Sequence, residues 1–385
     1  MKYILKGKEI FLENKIINNG RVVINNGVIE QIIEEDISIY EDEIDLSMYK
    51  ILPGFIDIHV HGGNGYDTMD GKYESINEIS KYVSKNGVTG FLPTTVTAKW
   101  EKIINAIKAV DDAMKTGVEG AEILGSYIEG PFISKDQKGA HPEEYILPID
   151  IYKAKEIVEA APAAVKVVAI APEKENAIEL IKMLKSHNIK VSIGHSNASY
   201  EETILAIENG ADIAIHTFNA MKGLHHREPG TVGAVLSNDK IYSELISDTI
   251  HVHPAVMKIL VKCKGLDKVC LITDCMMAGG LDDGQYQLGE LAVTVKDSIA
   301  RIDSGSLAGS TLRLIDAIKN MINKVEISPV DAVNMASIVP ASILGMDNTV
   351  GSIQEGKKAN FAIIDDEYNV VMTIVNGKIV YNSFE

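Results

Sequence analysis

Six side chains of the kinds that bind metal ions stand at or just beyond the ends of short apolar segments. They are His59, His61, Glu129, His195, His216 and Asp274. Imidazole and carboxylate groups suit zinc or iron, and a catalytic site keeps one metal position open for water. A lone histidine at a strand end is more often a hydrogen-bonded structural residue than a ligand. Six such groups would be costly to bury together without a shared partner, so the set indicates a metal site.

The elements that must position these residues are eight predicted β-strands. They cover residues 54–60, 87–94, 122–128, 165–171, 189–194, 211–216, 242–247 and 269–273. Helical patterns lie between most of them, such as the apolar stripe of Ala177, Leu180, Ile181 and Leu184. Successive strand–helix units fit a (β/α)8 barrel, with a doubly wound open sheet as the second arrangement. The barrel predicts that the six side chains meet at its C-terminal face.

Both ends of the chain alternate apolar and polar residues around Asn-Gly pairs, at Asn26-Gly27 and Asn376-Gly377. This pattern is typical of β-hairpins, and two separate hairpins would look the same as one shared sheet. We expect an α/β protein with a small β-sandwich domain of residues 1–51 and 350–385. Residues 52–349 would form the barrel, and two long helices, 308–324 and 329–345, would lead back to the terminal sheet.

Composition excludes several classes of protein. The formal charge of −17 argues against a nucleic-acid partner, because a polyphosphate backbone requires a basic face. No apolar run reaches the ~18 residues of a membrane span, and charges interrupt the first apolar run, so no signal peptide is expected. The three irregularly spaced cysteines predict reduced packing residues. We expect a soluble, cytoplasmic protein without a membrane partner.

Five motifs carry a resemblance to a known family. They are PGFIDIHVHG, EGPFI followed by KGAH, GHSNA, HTFNAMKGLHHREPG and ITDCMMAGG. The first resembles the amidohydrolase superfamily in general, and the combination resembles its N-acetylglucosamine-6-phosphate deacetylase family, from about Leu52 to Gly356. The resemblance implies a metal-dependent barrel with a terminal β-sandwich, usually dimeric. Its activity would remove acetate from the amino sugar phosphate to give glucosamine 6-phosphate, in amino sugar catabolism and recycling.

The resemblance also implies a set of metal ligands. Glu129, His195 and His216 match the family's metal site, and Asp274 matches its catalytic aspartate. Because this chain keeps both His59 and His61, a second metal bridged by Glu129 is available. One or two divalent ions per subunit, Zn²⁺ or Fe²⁺ first, are therefore expected. Lys166 begins the fourth strand, the wrong end for the carboxylated lysine that bridges metals in other superfamily members.

The expected chemistry uses two further groups. Asp274 would accept a proton from the attacking water and return it to the departing amine, while His141 would polarise the acetyl carbonyl. The resemblance implies substrate contacts at Ala140, His141, Asn219, Ala220, Arg227, Asp248, His251, Leu307, Ala308 and Gly309. Arg227 is expected to bind the phosphate, in the family often that of the neighbouring subunit. A solvated loop is the alternative for the basic segment 222–227.

The chain departs from the family at two points. Asp248-Thr249 stands where the family commonly has Asp-Gly, so the contacts of residues 248–250 are expected to differ. Asn360 replaces the usual Asp in the terminal domain, and His253 is expected only to precede a helix start. Two other functions stay open: an amidohydrolase acting on a cyclic amide or nucleobase, and a non-catalytic assembly protein built on the same barrel.

Overall fold

A computed structural model gives the structure of residues 1–34 and 42–384. Residues 35–41 and 385, which fall within the predicted terminal domain, lie outside the described residues. All eight predicted barrel strands are present, and their residues are almost entirely buried because helices cover the sheet. The strands are β1 (Phe55–Val60), β2 (Val88–Thr95), β3 (Ser126–Ile128), β4 (Val165–Ile170), β5 (Lys190–Ile193), β6 (Ile213–Ala214), β7 (Tyr242–Ile246) and β8 (Val269–Ile272). A short strand, Glu122–Ile123, precedes β3 and also pairs with β2.

Each barrel strand pairs in parallel with the next, from β1 with β2 to β7 with β8. The ring closes through a single parallel bridge between Val60 and Cys275. Asp274 N–H donates to the carbonyl of His59 at 3.0 Å, and His61 N–H donates to that of Cys275 at 2.9 Å. The predicted barrel is therefore confirmed over the open sheet, and it closes at the candidate ligands themselves.

Helices cover the outside of the barrel. The predicted apolar stripe of residues 177–184 is buried, and the helix Tyr200–Glu208 begins with a capping box made by Ser199 and Glu202. His253 precedes the helix that starts at Pro254, as predicted, and it also accepts a hydrogen bond from Ala255 N–H. The α-helices are Tyr73–Ser84, Trp100–Thr116, Ile151–Ala160, Ala177–Ser186, Tyr200–Glu208, Gly230–Leu236, Pro254–Lys264, Leu314–Asn320, Pro329–Asn334 and Ile338–Leu344. Short 3-10 turns occur at Thr68–Asp70, Glu143–Tyr145 and Leu266–Lys268.

The expectation of two long helices after the barrel is wrong. The first runs from Leu314 to Asn320 and continues as a π-helical turn, Met321–Val325, and the second breaks between Asn334 and Ile338. Pro340 has no N–H to donate back along a continuous helix, so it sits in the first turn of the new one. The break turns the carbonyls of residues 335 and 336 toward the barrel, where they accept from Leu271 N–H and Ile56 N–H.

Both termini contribute to a second sheet, as predicted. Lys2–Phe11 lies at its centre, antiparallel to Arg21–Asn25 and parallel to Glu43–Pro53. The remaining strands are Ile16–Asn18, Val28–Ile33, Phe361–Ile364, Val370–Val375 and Lys378–Asn382. This sheet has its own buried apolar cluster. The side-chain oxygen Oδ1 of Asn360 accepts a hydrogen bond from the backbone N–H of Asn376 at 2.7 Å.

A three-stranded antiparallel sheet that the sequence pattern had not predicted follows β8. Its strands are Gly284–Leu288, Leu291–Lys296 and Ile299–Arg301. Its apolar face packs on Met276, Ala278 and Ala308 in a cluster separate from the barrel core. A further small pair, Gly62–Gly63 with Tyr66–Asp67, follows β1. Within the described ranges, every helix is too short or too polar to cross a lipid bilayer.

Candidate active site

The six predicted ligand residues all lie at the C-terminal mouth of the barrel, and all are buried. His59 lies within β1, and the other five follow the ends of β1, β3, β5, β6 and β8. Three of them hold left-handed backbone: φ is 46° at His195, 26° at His216 and 52° at Asp274. Such conformations are costly for residues other than glycine and concentrate at functional sites. Each turns the chain sharply after its strand.

Glu129, His195 and His216 form what we call the first metal group. Glu129 Oε1 lies 3.0 Å from His195 Nε2 and 3.1 Å from His216 Nε2, and the two nitrogens are 3.1 Å apart. A tetrahedral zinc with bonds of about 2.0–2.1 Å separates its ligand atoms by roughly 3.3–3.4 Å. The three atoms therefore have the spacing of one side of a metal coordination sphere.

His59, His61 and Asp274 form the second metal group. The two Nε2 atoms are 3.3 Å apart and lie 3.4 and 3.2 Å from Asp274 Oδ1. Glu129 Oε2 is 3.0 Å from His61 Nε2 and 3.6 Å from that of His59. Glu129 thus directs one oxygen to each group, which is the arrangement of a carboxylate that bridges two metals.

Hydrogen bonds at the Nδ1 atoms set the tautomers of three ligand histidines. Nδ1 of His59 faces the Glu244 carboxylate at 3.2 Å, that of His61 the Thr94 carbonyl at 3.2 Å, and that of His195 the Gln137 carbonyl at 2.9 Å. These partners only accept, so in the neutral ring Nδ1 carries the proton and Nε2 carries the lone pair that a metal would bind. Among the described residues, the buried His216 Nδ1 has no hydrogen-bond partner.

His141 has the opposite tautomer. Thr97 N–H points at His141 Nδ1 at 3.3 Å, and the Thr97 hydroxyl lies 2.8 Å from the same atom. A backbone N–H can only donate, so Nδ1 of the neutral ring accepts and Nε2 carries the proton. His141 Nε2 is 3.7 Å from Glu129 Oε1, within ligand reach of the first metal group. The neutral ring offers a donor at Nε2 and has no lone pair there for a metal.

Glu129, Asp274 and His195 have the charge states in which such groups bind metals. Burial opposes ionisation of Glu129, but hydrogen bonds with His141, His195 and His216 hold its pKa well below the usual value. Burial also opposes ionisation of Asp274, but the hydrogen bond with His61 lowers the pKa of this carboxyl below its usual value. Burial lowers the pKa of His195 to about 4, so the ring is neutral. Ionised carboxylates and a neutral imidazole are the forms in which these groups bind metals.

The second metal group favours a positive charge. Burial alone lowers the pKa of His61, but its hydrogen bonds to Asp274 and Glu129 prevail and raise it to about 9. The same carboxylates, with Glu244, raise the pKa of His59 well above its usual value against the effect of burial. A proton or a metal ion is therefore stabilised among His59, His61 and their carboxylate partners.

A cavity of about 720 Å³ opens above the two groups. The predicted substrate residues on its wall are Ala140, His141, Asn219, Ala220, His251, Leu307 and Gly309. The unpredicted sheet supplies Leu288 and Leu291, while Lys135 and Lys138 contribute basic side chains. The cavity is large enough for a sugar phosphate and combines apolar walls with a few polar groups, as small-molecule sites do.

Three predicted substrate residues lie outside this wall. Arg227 is exposed, with Nη1 2.7 Å from His226 Nε2. Ala308 is buried in the apolar cluster behind the wall. Asp248 lines a neighbouring cavity of about 460 Å³, and its Oδ2 holds His251 Nδ1 at 2.6 Å. Thr249 keeps a left-handed φ of 69°, so the glycine-type backbone conformation persists without glycine.

Sequence reasoning missed three residues that support the site. Thr97 fixes the His141 tautomer, and Glu244 contacts His59. Asp57 accepts from Thr273 O–H at 2.6 Å, directly before Asp274. The signal for Asp57 and Glu244 was present: an acidic residue in the middle of an otherwise apolar strand must have a specific partner.

The chain is similar to known proteins over nearly its whole length. Curated relatives include an N-acetylgalactosamine-6-phosphate deacetylase of Escherichia coli O157:H7, 38% identical over 98% of this chain and 99% of that protein. An N-acetylglucosamine-6-phosphate deacetylase of Vibrio furnissii is 40% identical over 93% of this chain and 90% of that protein. The crystal structure of N-acetylglucosamine-6-phosphate deacetylase from Pasteurella multocida superposes with a TM-score of 0.94 at 31% identity, covering 99% of this chain and 100% of that chain.

The sequence also matches the Amidohydrolase family over residues 51–380. This range contains all eight barrel strands and the residues of both groups. Family match, relatives and metal-ligand geometry lead to one conclusion: the chain belongs to the amidohydrolase family.

Proposed function

We propose that this chain hydrolyses the N-acetyl group of N-acetylglucosamine 6-phosphate to give glucosamine 6-phosphate and acetate. The reaction would serve amino sugar catabolism and recycling. The observation that carries the proposal is the Glu129 carboxylate, which faces the Nε2 atoms of four histidines and the His141 side chain at the base of a sugar-sized cavity. The names of the curated relatives supply the substrate class.

Glu129, His195 and His216 would hold the first metal, Zn²⁺ or Fe²⁺, and His59, His61 and Asp274 the second. A bound metal would supply Lewis-acid activation of the acetyl carbonyl and of water. Asp274 pairs with His59 and His61 through Oδ1, which leaves Oδ2 to accept the proton of the attacking water. It then returns that proton to the amine, which must be protonated to leave.

His141 would donate its Nε2–H to the acetyl oxygen, where negative charge develops in the transition state. The donor is already oriented, because Thr97 occupies the opposite ring nitrogen. His251, held by Asp248, and Asn219 would bind the sugar from the cavity wall, with Ala140, Ala220 and the segment 307–309 around it.

We also propose a homodimer in which Arg227 binds the substrate phosphate in the neighbouring subunit. Arg227 is exposed and lies outside the cavity of its own chain, so a contact in trans gives its guanidinium fork a role. Mixing Arg227→Ala with Asp274→Asn chains tests this, since hybrid dimers would contain one intact site. Unchanged inactivity of the mixture, with hybrids present, would contradict the trans arrangement.

N-acetylgalactosamine 6-phosphate is a second candidate substrate, because the relative from Escherichia coli O157:H7 is named for it. The two sugars differ only in the configuration at C4. No relative described here favours a cyclic amide or nucleobase, and the retained ligand sets oppose a purely structural role. A charged sugar phosphate crosses membranes poorly, so we place the protein in the cytoplasm.

The test is acetate release from metal-loaded protein with both hexosamine 6-phosphates and with unphosphorylated N-acetylglucosamine. We expect faster release from N-acetylglucosamine 6-phosphate than from either alternative. Equal rates with and without phosphate would contradict the phosphate assignment. Faster release from N-acetylgalactosamine 6-phosphate would identify that sugar as the preferred substrate instead.

A further inference from the structure

Glu244 is a buried carboxylate that contacts both metal groups. It lies in β7 with 0% of its surface exposed. Its Oε2 is 3.2 Å from His59 Nδ1 in the second metal group, and it accepts from the backbone N–H of His216, in the first, at 3.2 Å. The Glu244 carbonyl also accepts from Thr217 N–H at 2.9 Å. One residue therefore touches a side chain of one group and the main chain of the other.

Packing does not explain this carboxylate. Among the described residues, its second oxygen, Oε1, is buried without a hydrogen-bond partner. The ion pair recorded for Glu244 is with His59, and no lysine or arginine of the described ranges shares it. A buried carboxylate with an unsatisfied oxygen lowers stability relative to an apolar residue of the same shape. Its presence between the two metal groups indicates a role in holding their ligands.

We propose that Glu244 is a positioning residue that retains the second metal, an inference that rests on the proposed metal-dependent function. By accepting from His59 Nδ1–H, it keeps the Nε2 lone pair directed at Asp274 and Glu129. Without this acceptor the ring can rotate, or place its proton on Nε2, and either change removes a ligand. Partners that orient ligand histidines in this way typically change metal affinity by about 10–100-fold.

Asp57 provides a matched control. It is a second buried carboxylate beside His59, but it accepts from the backbone N–H at 3.3 Å and does not contact the imidazole. Asp57→Asn thus removes a buried charge beside His59 but keeps the side-chain shape and an Oδ1 that can accept from the N–H groups of His59 and Thr273. The support that Asp57 gives to the segment before Asp274 and the Nδ1 contact of His59 both remain. A general effect of buried charge would appear in both variants, whereas positioning of the ring would appear only at Glu244.

The experiment compares Glu244→Met, Glu244→Gln and Asp57→Asn with wild type. Metal-depleted proteins are titrated with Co²⁺, whose absorption spectrum reports ligand geometry, and bound metal is counted by mass spectrometry after dialysis. Wild type and Asp57→Asn should bind two ions. Glu244→Met should bind the first normally and the second at least tenfold more weakly, with Glu244→Gln intermediate because its carbonyl can still accept.

Several results would overturn the inference: a second ion bound by Glu244→Met as tightly as by wild type, an equal loss in Asp57→Asn, or a single ion in saturated wild type. If Glu244→Met does not fold, an unchanged second affinity in Glu244→Gln overturns it as well. The readout is independent of catalysis. Wild type that binds two ions but releases no acetate would contradict the proposed function, while the fate of the second ion still decides the role of Glu244.

Discussion

Thr97→Val tests whether the orientation of one histidine proton contributes to turnover. The substitution keeps the shape of a buried side chain but removes the hydroxyl 2.8 Å from His141 Nδ1. The Thr97 N–H, at 3.3 Å, remains as a longer donor to the same nitrogen. The preference of His141 for the Nε2–H tautomer should therefore become weaker but should not be lost.

The size of the effect follows from hydrogen-bond energies. A net contribution of about 0.5–1.5 kcal/mol corresponds to roughly a 2- to 13-fold fall in turnover. Loss of the whole donor in His141→Phe, which keeps a ring but has no N–H, should cost about 100- to 1000-fold, the typical effect of removing an oxyanion donor. Both losses should be mainly in kcat, because the contact strengthens as charge develops on the acetyl oxygen.

The assay is a double-mutant cycle on acetate release, with bound metal counted in each variant. Because Thr97 acts only through His141, the double variant should be no slower than His141→Phe alone. Additive losses would refute the reasoning, as would a loss in Thr97→Val that equals that of His141→Phe. Reduced metal content in Thr97→Val would mean that the residue supports the metal groups instead.

Three further predictions concern the ligands, the thiols and the barrel packing. Replacing His59 and His61 together by Asn should lower bound metal from two ions to one while acetate release stays measurable; loss of both ions would contradict the division into two groups. In native protein only the exposed Cys263 should react with iodoacetamide, because Cys270 and Cys275 are buried and burial raises the pKa of Cys275 to about 12. Peptide mass spectrometry should find all three cysteines modified only after unfolding. Gly194→Ala should destabilise the fold by about 1–3 kcal/mol in denaturant titrations, since its Cβ would lie 1.8 Å from Ile215 Cγ2; unchanged stability would mean that β5 and β6 pack less tightly than described.

Much of the site could be predicted because barrel strands carry their chemistry at one end. His195, His216 and Asp274 follow apolar runs whose limits are visible in the sequence, and the structure places them together. The tautomers could not be predicted, because each depends on a hydrogen-bond partner that lies far away in the sequence. The acidic residue Glu244 stood out within its apolar strand, but its partner could not be predicted, since their contact appears only when β7 lies beside His59.

The fold was less predictable where turn chemistry was unusual. The hairpin at Asp297-Ser298 has positive φ at both residues, 53° and 60°, but lacks the Asn-Gly pair that marks such turns. The sheet of residues 284–301 was therefore missed. Pro340 was visible, yet a helix that restarts with proline in its first turn has the same apolar spacing as an unbroken one.

The most direct test of the central claim is to restore metal to metal-depleted protein one equivalent at a time, following acetate release from N-acetylglucosamine 6-phosphate. Acetate release should be absent without metal and should appear with the first equivalent bound by Glu129, His195 and His216. Full turnover by protein shown to be metal-free, or no acetate with both groups loaded, would contradict the account.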